Sequence, residues 1–172
     1  CTDVACSSAT STVLDSAGQV GLYTSIALGA DGLGLISYYD VTNGDLKVAH
    51  CANVACSSAS IVTLDGSAGD AGLHTSIAIG ADGLGLISYF DATNGGLKTA
   101  HCADVLCTSA TSATIDGNAG ESGVVSALTI GADGLGLISY FNTINGDLRA
   151  AHCTNVACSS ATTITLDSAG DF

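Results

Sequence analysis

Short runs of hydrophobic and β-branched residues alternate with polar clusters along the whole chain. In one representative stretch these runs cover residues 60–64, 74–79, 84–90 and 97–102, and glycine, asparagine and aspartate fill the gaps between them. Runs bounded by such turn-forming residues are typical of β-strands, and no run shows the 3.6-residue period of a capped helix. The pattern therefore predicts an all-β protein of antiparallel strands with short connections.

The pattern is an internal repeat. The sequence GADGLGLISY occurs three times without a substitution, at 29–38, 80–89 and 131–140. Equivalent segments open at four cysteines, which set a period of 50 to 51 residues: Cys1, Cys51, Cys102 and Cys153. A period of this size indicates one supersecondary unit copied in tandem, which the strand pattern identifies as a four-stranded antiparallel sheet.

Each unit carries a recognisable motif, which reads GLYTSIAL at 21–28, ISYYD at 36–40 and TNGDLK at 42–47 in the first copy. On these residues the chain resembles tandem repeats of about 50 residues in bacterial and archaeal extracellular proteins, which are of β-propeller type. The resemblance covers essentially the entire chain, although C-x4-C stands where such repeats often have a Trp-containing hairpin. It implies propeller-type blades and says little about activity.

The repeat defines the domain organisation. Three full blades are predicted at 23–65, 74–116 and 125–167, and residues 168–172 begin a further linker. Residues 1–15 correspond to a lone outer strand with a cysteine hairpin, which completes another blade or another subunit. Three blades are fewer than the four to eight of a closed propeller. An open β-solenoid or fibre and a β-trefoil are the alternatives, but a trefoil leaves the fourth cysteine hairpin without a place.

The lone strand predicts assembly. An unpaired strand exposes backbone N–H and C=O groups with which a neighbouring chain can pair. The chain is therefore predicted to belong to a longer repeat protein or to assemble with copies of itself, through Cys6, Thr12, Val13 and Leu14. We expect removal of residues 1–15 to abolish this assembly.

Eight cysteines form four copies of the C-x4-C spacing. The predicted pairs are Cys1 with Cys6, Cys51 with Cys56, Cys102 with Cys107, and Cys153 with Cys158. An even count that is paired by the repeat predicts disulfides, and hence an extracellular or cell-surface protein. Zinc is the alternative, but adjacent histidine and cysteine side chains on a strand point to opposite faces. Each bridge is expected to join directly opposed residues across a four-residue hairpin loop.

The charge is strongly negative. Three basic residues against sixteen acidic ones give a net charge of −13. Nucleic acid and anionic membrane surfaces are excluded as partners, because the chain has no basic footprint for phosphate groups. No apolar run approaches the ~20 residues of a membrane helix, so no membrane insertion is expected.

Aspartates cluster in the loops at one end of each predicted blade, where they would form an acidic face. Its members are Asp40, Asp45, Asp65, Asp70, Asp91, Asp116 and Asp147. No cofactor is expected, although carboxylates on loops suit Ca²⁺ as a ligand of this face. Aspartate is also a common turn residue, and no Asp-x-Asp-x-Asp-Gly loop is present.

No catalytic constellation stands out, so no enzyme activity is expected. His50, His101 and His152 recur with the unit, whereas an active site usually breaks such symmetry. The sequence favours a secreted, disulfide-stabilised repeat protein with a structural or adhesive role. A carbohydrate-binding module is the second hypothesis. A glycosidase, which needs two carboxylates about 5 to 9.5 Å apart, is a weak third.

Overall fold

A computed structural model describes residues 3–66, 69–117 and 122–168, and within them the chain is all-β. The strands of blade 1 are β1 (Val20–Leu28), β2 (Gly34–Asp40), β3 (Asp45–Cys51) and β4 (Ala59–Asp65). Those of blade 2 are β5 (Ala71–Ile79), β6 (Gly85–Asp91), β7 (Gly96–Cys102) and β8 (Ala110–Asp116). Those of blade 3 are β9 (Ser122–Ile130), β10 (Gly136–Asn142), β11 (Asp147–Cys153) and β12 (Ala161–Asp167).

Each blade is a separate four-stranded antiparallel sheet whose strands lie side by side in chain order. The predicted architecture of tandem four-stranded units is therefore confirmed, and the strands do not share the single barrel of a trefoil. The sheets begin at Val20, Ala71 and Ser122, each three residues before the predicted blade boundary. The register of the first strand shifts near its start, so the glycine-containing beginning of each strand reads as a loop in the sequence.

The bulge in the first strand of a blade places a non-glycine residue in the left-handed backbone region. Tyr23 has a φ of 55°, and its counterpart His74 has a φ of 52°. Gly21 and Gly72, two residues earlier, also have positive φ. A Cβ on Gly72 would lie 2.7 Å from the Leu46 backbone, so blade 2 approaches blade 1 closely at this point.

The blades stack face to face, and the first strand of one blade packs on the sheet before it: β5 lies against β1 and β2, and β9 lies against β5 and β6. Blade 2 is covered on both faces, and every residue of β6 is buried. In β10 of blade 3 buried and exposed residues alternate strictly, because only one face of that sheet is covered.

The identical motif GADGLGLISY shows the effect of stacking on burial. Its second leucine is 1% exposed in blade 1 (Leu35), 0% exposed in blade 2 (Leu86) and 40% exposed in blade 3 (Leu137). The local sequence is the same in all three blades, so the difference comes from the following blade, which covers Leu35 and Leu86. A Cβ on Gly85 or Gly136 would lie 2.8 Å from a methyl group of Leu35 or Leu86, so glycine permits this contact.

Disulfides close the hairpin after the third strand of each blade. Cys51 is bonded to Cys56, Cys102 to Cys107 and Cys153 to Cys158, with Cα atoms 4.8 to 4.9 Å apart. The expectation that each bridge joins opposed strand residues is wrong. Cys51 lies opposite Ala59 in the ladder, and Cys56 lies inside the loop with a φ of 48°. Cys1 lies outside the described residues.

The turn of this hairpin is made by an asparagine or aspartate two residues after the first cysteine. Asn53 accepts hydrogen bonds from the backbone N–H of Ala55 and Ser57, and Asp104 accepts one from Thr108. Such Asx turns let the side chain replace a backbone acceptor. The disulfide therefore adds to ordinary turn chemistry in this hairpin.

Residues 3–19 include no strand, so the described part of residues 1–15 pairs with no sheet. Asp15 is nevertheless held on blade 1, at the end of β2 and β3. Of residues 168–172 the structure describes only Ser168. Across the described ranges there is no helix long and apolar enough to cross a membrane.

Candidate functional site: the faces of the blades

Hydroxyl groups connect consecutive blades at their inner strands. Thr75 of β5 contacts the Ser37 hydroxyl of β2 at 2.7 Å and donates to the Tyr23 carbonyl at 2.8 Å. The backbone N–H of Ile77 donates to the Ser25 hydroxyl at 3.2 Å. These bonds fix how far one blade slides along the next, because each needs a particular pair of positions to meet.

The same connections recur between blades 2 and 3. The Ser88 and Ser126 hydroxyls lie 3.0 Å apart, and the backbone N–H of Leu128 donates to the Ser76 hydroxyl at 3.0 Å. Both interfaces thus use equivalent positions of the repeat. Blade stacking is a property of the unit itself, and it does not depend on one special pair of blades.

A buried ionic cluster also spans each pair of blades. Asp65, the last residue of blade 1, accepts from the Lys98 ammonium at 2.6 Å and from the Tyr89 hydroxyl at 2.7 Å. Asp91 lies 3.4 Å from the same ammonium. Lys98 also lies over the Tyr89 ring, 5.5 Å from its centre. Asp65, Tyr89 and Asp91 are buried and the Lys98 side chain is only 17% exposed, so each depends on the others for most of its polar contacts.

Equivalent clusters lie before and after this one. At the next interface Asp116 binds Arg149 and accepts from the Tyr140 hydroxyl at 2.8 Å. On blade 1, Asp15 accepts from Lys47 at 2.6 Å and from Tyr38 at 2.7 Å. The described part of residues 1–15, here called the N-terminal segment, therefore supplies the carboxylate that a preceding blade would supply. All three basic residues of the chain lie at one position of the repeat and bind such an aspartate.

Burial and ion pairing shift the acidities in these clusters. The hydrogen bond from Lys47 lowers the pKa of Asp15 to about 2. Burial, with the neighbouring aspartate as a further cause, raises the pKa of Tyr38, Tyr89 and Tyr140 well above the usual range. These tyrosines are therefore neutral hydrogen-bond donors at all physiological pH values.

Much of the predicted acidic face is internal. Asp40, Asp65, Asp91 and Asp116 are buried. Burial raises the pKa of Asp40, but hydrogen bonds from the side chain and backbone of Asn43 outweigh it, so the net shift is downward. The prediction that these four carboxylates belong to an open acidic face is wrong, because each is enclosed by its own loop or by the next blade.

The remaining members of the predicted acidic face lie nearer the surface. Asp45 and Asp147 are half-buried, and Asp70 is exposed and accepts from the Tyr39 hydroxyl at 2.7 Å. Burial, with Asp40 and Asp65 nearby, raises the pKa of Asp45. Within residues 3–66, 69–117 and 122–168 no group of three or more His, Cys, Asp or Glu residues could hold a metal ion.

Chelation is expected to leave the fold unchanged. The buried aspartates receive their hydrogen bonds from Lys, Arg, Tyr and Asn, so they do not need a cation. We predict the same melting temperature with EDTA and with added CaCl2. A rise of more than about 3 °C with Ca²⁺, equivalent to ~1 kcal/mol for a domain of this size, would contradict this and place calcium on the surface loops.

Histidine and aspartate form a second repeated pair at the hairpin between the first two strands of each blade. His50 lies 2.8 Å from Asp31, His101 lies 2.9 Å from Asp82, and His152 lies 2.8 Å from Asp133. The backbone N–H of Leu33 binds Asp31 and lowers the pKa of that carboxyl. The pairs tie each hairpin to the third strand of its own blade.

The outer face of blade 3 presents side chains whose counterparts in blades 1 and 2 are buried or half-buried at the internal interfaces. Its members are Leu137, Ser139, Phe141, Leu148, Ile164 and Leu166, and all six are exposed. The counterparts of Leu148, which are Leu46 and Leu97, are wholly buried. We call this surface the exposed face of blade 3. A soluble chain rarely leaves so many adjacent apolar side chains uncovered without a partner for them.

The opposite end of the stack has a complementary surface, which we call the exposed face of blade 1. Ile26 on it is 65% exposed, whereas its counterpart Ile77 is 6% exposed. Beside it, Ile36, Tyr38 and Ala49 line a cleft of about 290 Å³ whose other wall includes Leu14 and Asp15 of the N-terminal segment. In a single copy Ile36 is half-buried, and Tyr38 and Ala49 are already buried beside that segment. Their counterparts in blade 2 are fully buried against blade 1.

The sequence contained a signal for the ionic clusters that pattern reading missed. Lys47, Lys98 and Arg149 occupy one repeat position, and Asp15, Asp65, Asp116 and Asp167 occupy another. All three basic residues of the chain stand at the same position of the repeat, which indicates a contact that recurs with the unit. The contact joins residues 32 or 33 positions apart, so it is invisible to local strand and turn patterns.

Comparisons with solved structures place this arrangement in the class of propeller-type all-β folds. A protein of unknown function from Dyadobacter fermentans superposes with a TM-score of 0.62 at 14% identity, over 85% of this chain and 42% of that one. A GH43 β-1,3-galactosidase gives 0.60 at 12% identity, over 86% and 32%. An α-L-arabinofuranosidase from Lactobacillus brevis gives 0.59 at 12% identity, over 86% and 54%.

The likeness concerns the fold alone. The chain spans about a third to a half of the length of these proteins, and the identities are too low to carry over an activity. No protein family matches the sequence, and no curated protein matches it.

Proposed function

We propose that the chain is part of a secreted structural or adhesive repeat protein whose blades stack end to end, with further copies of itself or with further repeats of a longer chain. One observation carries the proposal: each end of the stack exposes a residue, Leu137 at one end and Ile26 at the other, whose counterparts are buried at the internal interfaces. A unit that binds its neighbour through the same positions on both sides can be extended indefinitely.

Secretion is supported by the cysteines and the charge. Disulfides persist in oxidising surroundings, and three of them close hairpins of the described chain. The net charge of −13 keeps a repeat protein with apolar ends dispersed until its partner is reached. The three carboxylates Asp15, Asp65 and Asp116 and the paired histidines have structural roles, so the proposal includes no enzyme activity.

Carbohydrate binding is the second candidate, and it has one observation in its favour. The inner strands form a shallow groove of about 210 Å³ that includes Tyr23, Thr24, His74 and Ser126. The rings of Tyr23 and His74 lie 4.0 Å apart, and neighbouring hydroxyls could orient a sugar stacked on them. A glycan array without signal above background would remove this candidate and leave the structural role untouched.

Sedimentation velocity tests the structural role. We expect species of increasing mass as the protein concentration rises. We also expect a larger assembled fraction in about 1 M salt than in about 0.1 M salt, because the screening length is about 3 Å at the higher concentration and about 10 Å at the lower one. Screening favours assembly because copies of charge −13 repel one another. A single species of monomer mass under all these conditions would contradict self-association of this stretch.

A further inference from the structure

We propose that the exposed face of blade 3 docks on the exposed face of blade 1 of a second copy and there repeats the interface seen between consecutive blades. This inference rests on the structural role proposed above and adds the two surfaces, the direction of assembly and the contacts. The occupant is a second copy because the same chain carries both complementary halves of an interface that it already forms twice.

The apolar contacts of the docked pair follow from the internal ones. Leu35 and Leu86 each place a methyl group over a glycine of the next blade, Gly85 and Gly136 respectively. The glycine at this position in blade 1 is Gly34, and its nearest neighbours among the described residues are Cys51 and Ile26 of its own blade. Docking places Leu137 over Gly34 of the second copy and brings Leu148 and Phe141 out of water.

The polar contacts have counterparts as well. The Ser139 hydroxyl corresponds to Ser37 and Ser88, so it would meet Thr24 of the second copy as Ser37 meets Thr75. Asp167 ends blade 3 as Asp65 ends blade 1, and it is exposed. In the docked pair Asp167 is the carboxylate for Lys47 and Tyr38 of the second copy.

The N-terminal segment occupies the position that Asp167 would take. Residues 3–13 are exposed and belong to no sheet, whereas β12 is fully paired with β11. Displacing the segment therefore costs much less than displacing β12. Docking thus exchanges Asp15 for Asp167, and the segment acts as a removable cover of the exposed face of blade 1.

The two faces differ, so the contact is head-to-tail. A heterologous interface gives a ring when the rotation between copies closes and an open filament when it does not. It also leaves one free face of each kind at the ends of any open oligomer. This property separates the proposal from a symmetric dimer, in which identical faces pair.

One position weakens docking relative to the internal interfaces. Ser25 and Ser76 accept the backbone N–H of the next inner strand, but blade 3 has Ala127 at this position. The N–H of Ile26 in the second copy would therefore lack that acceptor. Ala127→Ser is expected to tighten association by roughly two- to tenfold, the range for one added hydrogen bond.

Two blocked variants test the direction of assembly. Leu148→Asp puts a charge on the exposed face of blade 3, and Ile26→Asp puts one on the exposed face of blade 1. Both side chains face solvent in one copy, so folding is expected to be retained. Each variant alone should remain monomeric in sedimentation velocity, and an equimolar mixture should form a dimer and nothing larger. Leu106→Asp, on the partly exposed cysteine hairpin of blade 2 and so at neither end of the stack, is the matched control and should assemble as the unmodified protein does.

The outcomes are distinct. If Ile26→Asp alone forms dimers, blade 3 pairs with blade 3, and the proposal is overturned; dimers of Leu148→Asp alone overturn it in the same way for blade 1. If the unmodified protein assembles but the mixture stays monomeric, docking is wrong while the structural role stands. If the unmodified protein never assembles, the structural role itself fails for this stretch.

Truncation separates docking from pairing through the N-terminal strand. The sequence alone predicts that removal of residues 1–15 abolishes assembly. Docking predicts that the truncated chain still assembles, and at least as tightly, because the cover is gone. Loss of assembly in the truncated chain, with its circular dichroism spectrum and melting curve intact, would reject the exchange of Asp15 for Asp167.

Discussion

Replacing Leu86 by alanine is expected to lower the free energy of unfolding by about 2–5 kcal/mol, the range for deleting a buried leucine side chain. Leu86 is wholly enclosed between blades 2 and 3, where it packs with Ile138, Tyr140 and Ala151. Stacked blades hold these side chains firmly, so the cavity left by the deletion would be only partly refilled.

Leu137→Ala is the matched control for this substitution. Leu137 stands in the same ten-residue sequence as Leu86 but is exposed, so we expect a change within about 0.5 kcal/mol. Urea unfolding of the two variants under monomeric conditions measures the difference. Equal large losses would contradict the exposure of Leu137, and negligible losses in both variants would mean that blades 2 and 3 do not pack on one another.

Asp65→Ala is expected to cost about 3–5 kcal/mol, since it leaves the buried Lys98 ammonium and Tyr89 hydroxyl without their main partner. Asp91 remains 3.4 Å from Lys98 and compensates only in part, because it also binds Asn94. This loss acts across two blades, since Asp65 belongs to blade 1 and its partners belong to blade 2.

Asp167→Ala is the matched control for the ionic cluster. The residue follows the same Thr-Leu pair as Asp65 but is exposed, so the expected change is within about 0.5 kcal/mol for the monomer. Thermal or urea unfolding of both variants, alone and with Lys98→Met in a double-mutant cycle, measures the coupling of Asp65 to Lys98. A coupling near zero would contradict the buried pair.

The strands and their order could be predicted from the sequence because they depend on local information. Alternating apolar residues and the turn clusters define each strand, and the unit recurs three times. The prediction failed at the start of each sheet, where Gly21 and Gly72 form a bulge with positive φ that reads as a loop. It also failed at Cys56, whose loop position depends on the Asx turn of Asn53.

The role of the acidic residues could not be predicted in this way. Asp65 and Asp70 stand in the same loop of the sequence, yet Asp65 is buried and Asp70 is exposed. What separates them is the adjacent blade, which brings Lys98 and Tyr89 over Asp65. Local patterns specify turns well, but the partner of a turn residue depends on packing between sheets.

Electron cryomicroscopy of the native, untagged protein tests the central claim most directly. The account predicts particles in which blades follow one another at a constant rotation, with blade 3 packed on blade 1 of the next copy or repeat and Leu137 buried there. Closed rings and long fibres both satisfy this prediction. Isolated three-blade particles, or assemblies in which the exposed face of blade 3 remains in solvent, would contradict it.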